Sequence, residues 1–499
     1  MTMQQCNRRG AVKKLAAGLG LAGMLLLTLL PAPAVAGAHR GATVDAAAVD
    51  RYVNDYLRRT DLPGAVVAVT KGDQVVSANG YGHDAEGRPM TARTRVPVAS
   101  LSKSFTALAV MQLVEAGKVD LDTPVRRYLP EFTMADPRAA RITVRELLNQ
   151  TSGMADSAFP DLTLSQPDTL AGAVARMRDA KLAYEPGTTM RYHNPNFFVA
   201  ARLVEVVSGT PFARYMAEKV FTPLGMESTT TVDTTQDMPD QAKGYIRAYG
   251  QVIPRSQPRW FTNGSHGVVT TAADLARWLV MQNNGGRTAA DRQIISSRSI
   301  ETMRTPPKGG NYAMGWSTYK PENEPVRIQH TGELLTHNSM QVLLPDSGYG
   351  IAVVANTAMI SGDDSNHLAE GLVELAEGRT PEATTPFTTT ADPVLAVLTL
   401  LALALGVLGV LRSRKWAVRR AGRPLWRAVL RLLPQAVLVA AFVMLPDLLG
   451  FLMNGRKGTL DQVTYAWLAL YVWFAAMALA GLAVIATRGF HLLRLRANR

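Results

Sequence analysis

The chain has 499 residues, with 53 Lys and Arg against 40 Asp and Glu and a net charge of +13, and that length predicts two or more structural units. The excess of positive charge does not describe a nucleic-acid surface, because it sits at the ends: residues 1–38 hold four basic and no acidic side chains, residues 393–499 hold 14 basic and two acidic, and residues 39–392 hold 35 basic and 38 acidic. The single cysteine, Cys6, lies in the N-terminal segment, which excludes disulfides and a thiol nucleophile from everything downstream.

In chain order, Arg8, Arg9, Lys13 and Lys14 precede a short apolar run over 15–30, followed by Pro31 and the small residues Ala34-Val35-Ala36. This predicts a secretory signal over 1–38. An uncleaved anchor is the alternative, and Asn7-Arg8-Arg9 loosely resembles a twin-arginine signal.

Residues 39–378 read as one mixed unit. Segments 64–70 and 74–78 predict a hairpin around Lys71-Gly72-Asp73. Helices are predicted over 101–116, 171–179, 197–208 and 272–282, and three further strands over 326–329, 340–344 and 350–355. Strands at both ends with helices between them predict an α+β fold. One antiparallel sheet is assembled from both termini, is flanked by helices and carries an inserted helical subdomain.

The Thr- and Pro-rich residues 379–392 predict a linker. Three apolar stretches follow, at about 393–411, 428–453 and 464–487, each long enough to cross a bilayer. Arg431, Pro434, Pro446 and Asp447 weaken the middle one. Seven basic residues lie over 412–427 and four in the tail, Arg488, Arg494, Arg496 and Arg499, against only Arg456 and Lys457 between the second and third stretches. The positive-inside tendency then puts 412–427 and the tail in the cytoplasm and 39–392 outside, as the signal also predicts.

Ser100 and Lys103 stand three residues apart at the start of an apolar helix with Phe105, Leu108, Val110, Met111, Leu113 and Val114. Residues spaced this way share one face. A lysine buried there is costly unless it has a task, and activating the serine hydroxyl is one. An N-cap serine with a lysine reaching solvent is the competing explanation of the pair alone.

Tyr192-His193-Asn194 and His330-Thr331-Gly332 change the balance. With Ser100-x-x-Lys103 they resemble, in order and rough spacing, the penicillin-binding-protein and class C β-lactamase superfamily of active-site serine enzymes. Leu147-Leu148-Asn149-Gln150-Thr151-Ser152-Gly153 is similar to another signature of that group, with Gln150 where a histidine is usual. The resemblance covers roughly residues 45–378. It implies a β-lactamase/transpeptidase-like fold in which Ser100 is acylated and Lys103 and Tyr192 share the proton. The backbone N–H groups of Ser100 and Glu333 would form the oxyanion hole, and Asn194 would hydrogen-bond the substrate's amide. His330, Thr331, Gly332 and Glu333 would border the substrate, and His193 would point away.

His330 replaces the lysine common in the third motif, so recognition of a substrate carboxylate should weaken. Signal, hydrolase unit and terminal spans together resemble the membrane-bound peptidases that activate nonribosomal-peptide prodrugs, of the colibactin-maturation type. The leading expectation is therefore an extracytoplasmic, membrane-anchored peptidase or amidase for D-configured or acylated peptides, held in a bacterial inner membrane. A carboxylesterase, a D,D-carboxypeptidase or a β-lactamase of the same superfamily stays open, as does a membrane sensor that remains acylated. The histidines lack metal-ligand spacing and no phosphate-binding loop occurs, so no cofactor, metal or nucleic acid is expected. The expected partners are a small peptide, amide or ester and the lipid bilayer.

Overall fold

Gly64–Lys71 (β1) is an almost unbroken run of small and β-branched residues, buried from Gly64 to Thr70. Such a run suits a strand covered on both faces. The computed structural model describes residues 44–322, 324–358, 363–452, 456 and 458–498; the signal expected over 1–38 lies outside them. β1 turns back into Gln74–Gly82 (β2) and also pairs with a strand from the far end of the α+β unit. The later strands are Tyr312–Ala313 (β3), Trp316–Tyr319 (β4), Arg327–Glu333 (β5), Asn338–Leu344 (β6) and Tyr349–Ala355 (β7). They form one seven-stranded sheet in the order β2-β1-β7-β6-β5-β4-β3. Every pair is antiparallel, with Val67 opposite Val353 and Val353 opposite Met340. The sheet assembled from both ends is thus present.

On one face lie Ala46–Thr60 (α1) and Asp364–Ala376 (α5). The Asp45 carboxylate accepts from Ala48 N at 2.7 Å and starts α1. Val49, Val53 and Tyr56, spaced for one helix face, pack with Leu368 and Leu372 onto Val67 and Val353. The opposite face carries Ser102–Glu115 (α2), Pro195–Ser208 (α3) and Ala272–Asn283 (α4). α2 is apolar all round because the helical subdomain encloses it, and Phe105 stacks on Trp278 with centroids 3.8 Å apart.

Beyond this unit come Thr388–Leu411 (α6), Leu433–Val443 (α7), Leu445–Leu452 (α8), Leu460–Ala466 (α9) and Leu468–Ala497 (α10). Among the described residues two helices, α6 and α10, are long and apolar enough to cross a membrane, where the sequence suggests three. The middle stretch is divided instead: α7 ends at Met444 and α8 begins beside Pro446, whose ring cannot continue the hydrogen-bond ladder. α6 packs on α10 through small residues. A Cβ on Gly406 would lie 2.6 Å from Ala480 Cβ, and one on Gly409 2.6 Å from Val484 Cγ2.

The helix α6 already starts at Thr388, inside the segment read as linker. Its Asp392 is buried and ties three elements together, accepting from Tyr249 N and from Trp467 Nε1, both at 2.8 Å. Gln462 Nε2 donates to Leu162 O at 3.2 Å and Tyr465 OH to Ser256 O at 3.0 Å, so α9 also sits on the α+β unit.

Candidate active site

Val96–Pro97 pairs with Val268–Thr270 and delivers the chain into a tight turn, Ala99–Leu101, that runs straight into α2. Ala99 holds a left-handed φ of 49°, a conformation that costs a non-glycine residue roughly 1 kcal/mol. The turn is braced: Ser102 Oγ donates to Ala99 O at 2.6 Å and accepts from Val268 N at 2.9 Å, and Ser339 Oγ donates to Val98 O at 2.8 Å. Gly332 lets β5 lie against the same turn, since a Cβ there would fall 2.6 Å from Val98 O. These contacts set Ser100 beside the edge of β5. The pairing of β5 with β4 ends at Gln329, so no β4 residue pairs with His330–Glu333.

Lys103 is fully buried, and three oxygens surround its Nζ. It lies 3.1 Å from Ser100 Oγ and donates to Asn194 Oδ1 and to Ser265 O, each at 3.0 Å. Burial, helped by the charge of Arg456, pushes its pKa well below the ordinary lysine value. A neutral amine has two N–H bonds and one lone pair. With both N–H bonds spent on Asn194 and Ser265, the lone pair is left for the Ser100 hydroxyl proton.

Tyr192 completes the group from the turn before α3. Its ring centroid is 4.8 Å from Lys103 Nζ. Its hydroxyl is buried without a well-formed hydrogen bond, and burial raises its pKa while the neighbouring Ser100 hydroxyl and then the Arg456 charge pull it back. His193, as expected, turns away, its Nε2 2.9 Å from Phe159 O. Gln150 fills the variant position of its motif and braces this turn: its Oε1 accepts from His193 N at 3.0 Å and from Asn196 Nδ2 at 2.5 Å.

A cavity of about 1180 Å³ opens at Ser100. Tyr192, Asn194, His330, Thr331 and Glu333 line it; Lys103 and Gly332 do not, the first lying behind Ser100 and the second against Val98. Asn194 spends its carbonyl on Lys103, which leaves its NH2 end for the cavity. His330 Nδ1 is 2.6 Å from Thr331 O and its Nε2 is 3.2 Å from Tyr312 OH, and burial drives its pKa down to about 3. It is neutral at pH 7. The Glu333 carboxyl is raised by burial, and the Arg456 charge opposes that shift.

Sequence reasoning missed several contributors. Ser265 acts through a backbone carbonyl, which leaves no residue signature. Tyr312 meets the Tyr192 ring edge-on at 6.0 Å, and Arg456 approaches that ring from outside the hydrolase unit. The sequence itself offers His266 and Asn338 as residues bordering the pocket: His266 lines the cavity, whereas Asn338, whose Nδ2 donates to Thr357 O at 2.7 Å, does not.

With this geometry in hand, comparisons place the chain among known proteins. A family model described as Beta-lactamase matches residues 49–373. The Staphylococcus aureus (strain MW2) protein named Protein flp is 26% identical over 313 residues, 62% of each chain, so less than two thirds of that relative's length is spanned. Penicillin-binding protein 4 of Amycolatopsis lactamdurans is 30% identical over 346 residues, 65% of this chain and 89% of that protein. Among solved structures, the octameric penicillin-binding protein homologue from Pyrococcus abyssi aligns with a TM-score of 0.57 at 25% identity, covering 71% of this chain and 82% of that one. Sheet order, the motif-bearing turn and the extent of the match agree: the chain belongs to the beta-lactamase family, whose α+β fold and serine-hydrolase character it shares.

Proposed function

We propose that the chain is a membrane-anchored, extracytoplasmic peptidase or amidase that works through an acyl-Ser100 intermediate on D-configured or acylated peptides. The observation that carries the chemistry is the fully buried Lys103 amine 3.1 Å from Ser100 Oγ, its pKa pushed well below the ordinary lysine value by burial. Ser100 attacks the substrate carbonyl as its proton passes to the Lys103 amine, and Tyr192 relays a proton onward to the leaving group, giving up its own and taking the one on Lys103 in its place. The carbonyl oxygen takes the negative charge and rests on the N–H groups of Ser100 and Glu333. Collapse breaks the C–N bond, and the proton goes to the departing amine. Water then adds to the acyl-serine with the same base and releases the acid. Kinship to a protein named for binding penicillin, a cyclic amide, supports an amide substrate.

The membrane reading rests on the terminal helices. α6 and α10 rise about 36 and 45 Å at 1.5 Å per residue, enough for a hydrocarbon core. Their N-terminal ends meet at the hydrolase unit, where Phe387 and Trp467 pack edge-on at 5.0 Å. At the opposite ends Trp416 lies between Arg420 and Arg488, 4.6 and 5.1 Å from its ring. Aromatic residues at both ends and arginines at one suit two parallel spans whose basic end, with 412–427 and the tail, faces the cytoplasm, the broken middle stretch with α7 running back along α10 between them.

The test is intact-mass analysis of the full-length protein in detergent with a fluorophosphonate, followed by a panel of N-acyl-D-amino amides and esters. The parent gains one phosphonyl group and Ser100→Ala gains none; equal labelling of both sinks the proposal. Turnover with release of the acyl acid supports the hydrolase. Acylation that persists without turnover overturns it in favour of the sensor.

A further inference from the structure

The cavity at Ser100 has walls of two origins. One is the hydrolase unit. The other is the C-terminal region, which contributes Pro446, Leu449, Val463, Ala466 and Arg456. Arg456 lies between α8 and α9, more than 350 residues beyond Ser100 in the chain. Its guanidinium carbon is 5.5 Å from the centroid of the Tyr192 ring, and its side chain is only 18% exposed. The nearest carboxylate, Asp156, comes within 3.5 Å of Nε, and the guanidinium makes no hydrogen bond among the described residues. A largely enclosed guanidinium with its donors unfilled is costly, and a planar fork of N–H groups is matched best by a carboxylate.

The other arginines on the cavity wall are differently placed. Arg327 is held by Glu324 and Glu370, both at 2.6 Å, and Arg191 lies against the Tyr184 ring at 4.8 Å. The strand position that would carry the family's lysine holds His330, which is neutral. Arg456 therefore brings to the reacting end, from the C-terminal wall, the permanent cation that position 330 lacks. Because Tyr192 stands where the departing amine is protonated, a cation stacked on its ring lies on the leaving-group side.

We infer that Arg456 completes the substrate site by binding a carboxylate carried by the leaving group, as in an amino acid released with its carboxylate free. Asp156 holds the guanidinium in place without filling its fork. The inference rests on the hydrolase reading above and names the substrate class for it.

The experiment uses the full-length protein in detergent and two matched esters of N-acetyl-D-alanine, one releasing 3-hydroxybenzoate and the other 3-hydroxybenzamide. The readout is the ratio of kcat/KM for the carboxylate ester to that for the neutral one. In Arg456→Gln this ratio should fall about 10- to 100-fold, the worth of a charge-assisted hydrogen bond, and Arg456→Lys should restore part of it. A loss acting through the pKa of Lys103, or through local unfolding, slows both esters alike and leaves the ratio intact. A ratio in Arg456→Gln within about twofold of the parent, against the worth of that bond, therefore overturns the inference. Fluorophosphonate labelling of the same samples separates the two claims. An unlabelled parent removes the hydrolase reading and this inference with it, whereas a labelled parent with an unchanged ratio removes this inference alone.

Discussion

Substituting Gly332 by alanine tests how Ser100 is held. The added Cβ would lie 2.2 Å from Ser339 Oγ, 2.6 Å from Val98 O and 3.0 Å from Ala99 Cβ. Ser339 can rotate away at the loss of its 2.8 Å hydrogen bond to Val98 O, worth about 1 kcal/mol. Val98 O cannot, because it belongs to the turn that carries Ser100. Either β5 or the turn must therefore shift by several tenths of an ångström. Overpacking of this kind costs about 1–3 kcal/mol of stability. The larger effect falls on chemistry, since the proposed nucleophile Ser100 and the proposed oxyanion donors, the N–H groups of Ser100 and Glu333, sit on the two segments being forced apart. A misplacement approaching 1 Å costs about a hundredfold, so Gly332→Ala should slow fluorophosphonate labelling about ten- to a hundredfold while the protein still folds. Labelling rate and thermal melting should be measured for Gly332→Ala, Ser339→Ala and the double variant. Removing the Ser339 hydroxyl relieves the shortest contact only, so the double variant should keep most of the defect. Full recovery in the double variant, or a parental rate in Gly332→Ala, refutes the account of the turn.

Two further predictions concern protons. Lys103→Met should lower turnover about 10²- to 10⁴-fold with the fold retained. In the parent, labelling should fall as pH drops through the depressed Lys103 pKa, far below the ordinary lysine value; an activity limb near pH 10 would contradict this. His330 and His337 are both buried, which holds each pKa down to about 3 against an ordinary 6.5. Between those values the unfolded chain binds protons that the folded chain refuses, so stability is lost as pH falls below about 6.5. At pH 5 the two together cost roughly 4 kcal/mol, to be read from denaturant unfolding at pH 7 and pH 5. Replacing both with glutamine should flatten the difference, and equal stability of the parent at the two pH values would refute the neutral assignment.

Much of this fold was legible because its signals are local. The hairpin around Lys71-Gly72-Asp73 and the strand run ending at Ala355 announce themselves by composition, and pairing them was the simplest way to bury both. The apolar helix after Ser100 was readable for the same reason. Two features were hidden. A middle apolar stretch reads as a span by hydropathy, but Pro434 and Pro446 bracket an eleven-residue helix, too short to cross alone. The loss of a cation at His330 was visible in the motif, but the nearby arginine was not, because Arg456 reaches the cavity only through tertiary packing.

Asp392 has a consequence for kinetics. By accepting from both Tyr249 and Trp467 it ties the α+β unit to the paired helices, and on the proposed membrane reading that tie bears on how substrate is met. An enzyme on a loose tether samples the bulk solution, and its rate follows the volume concentration of substrate. One fixed at constant height and tilt works in two dimensions instead. For an acylated peptide dissolved in the same bilayer, the governing quantity is its density per unit area of membrane, and diluting the surface with inert lipid would slow turnover even when the total amount of substrate is unchanged.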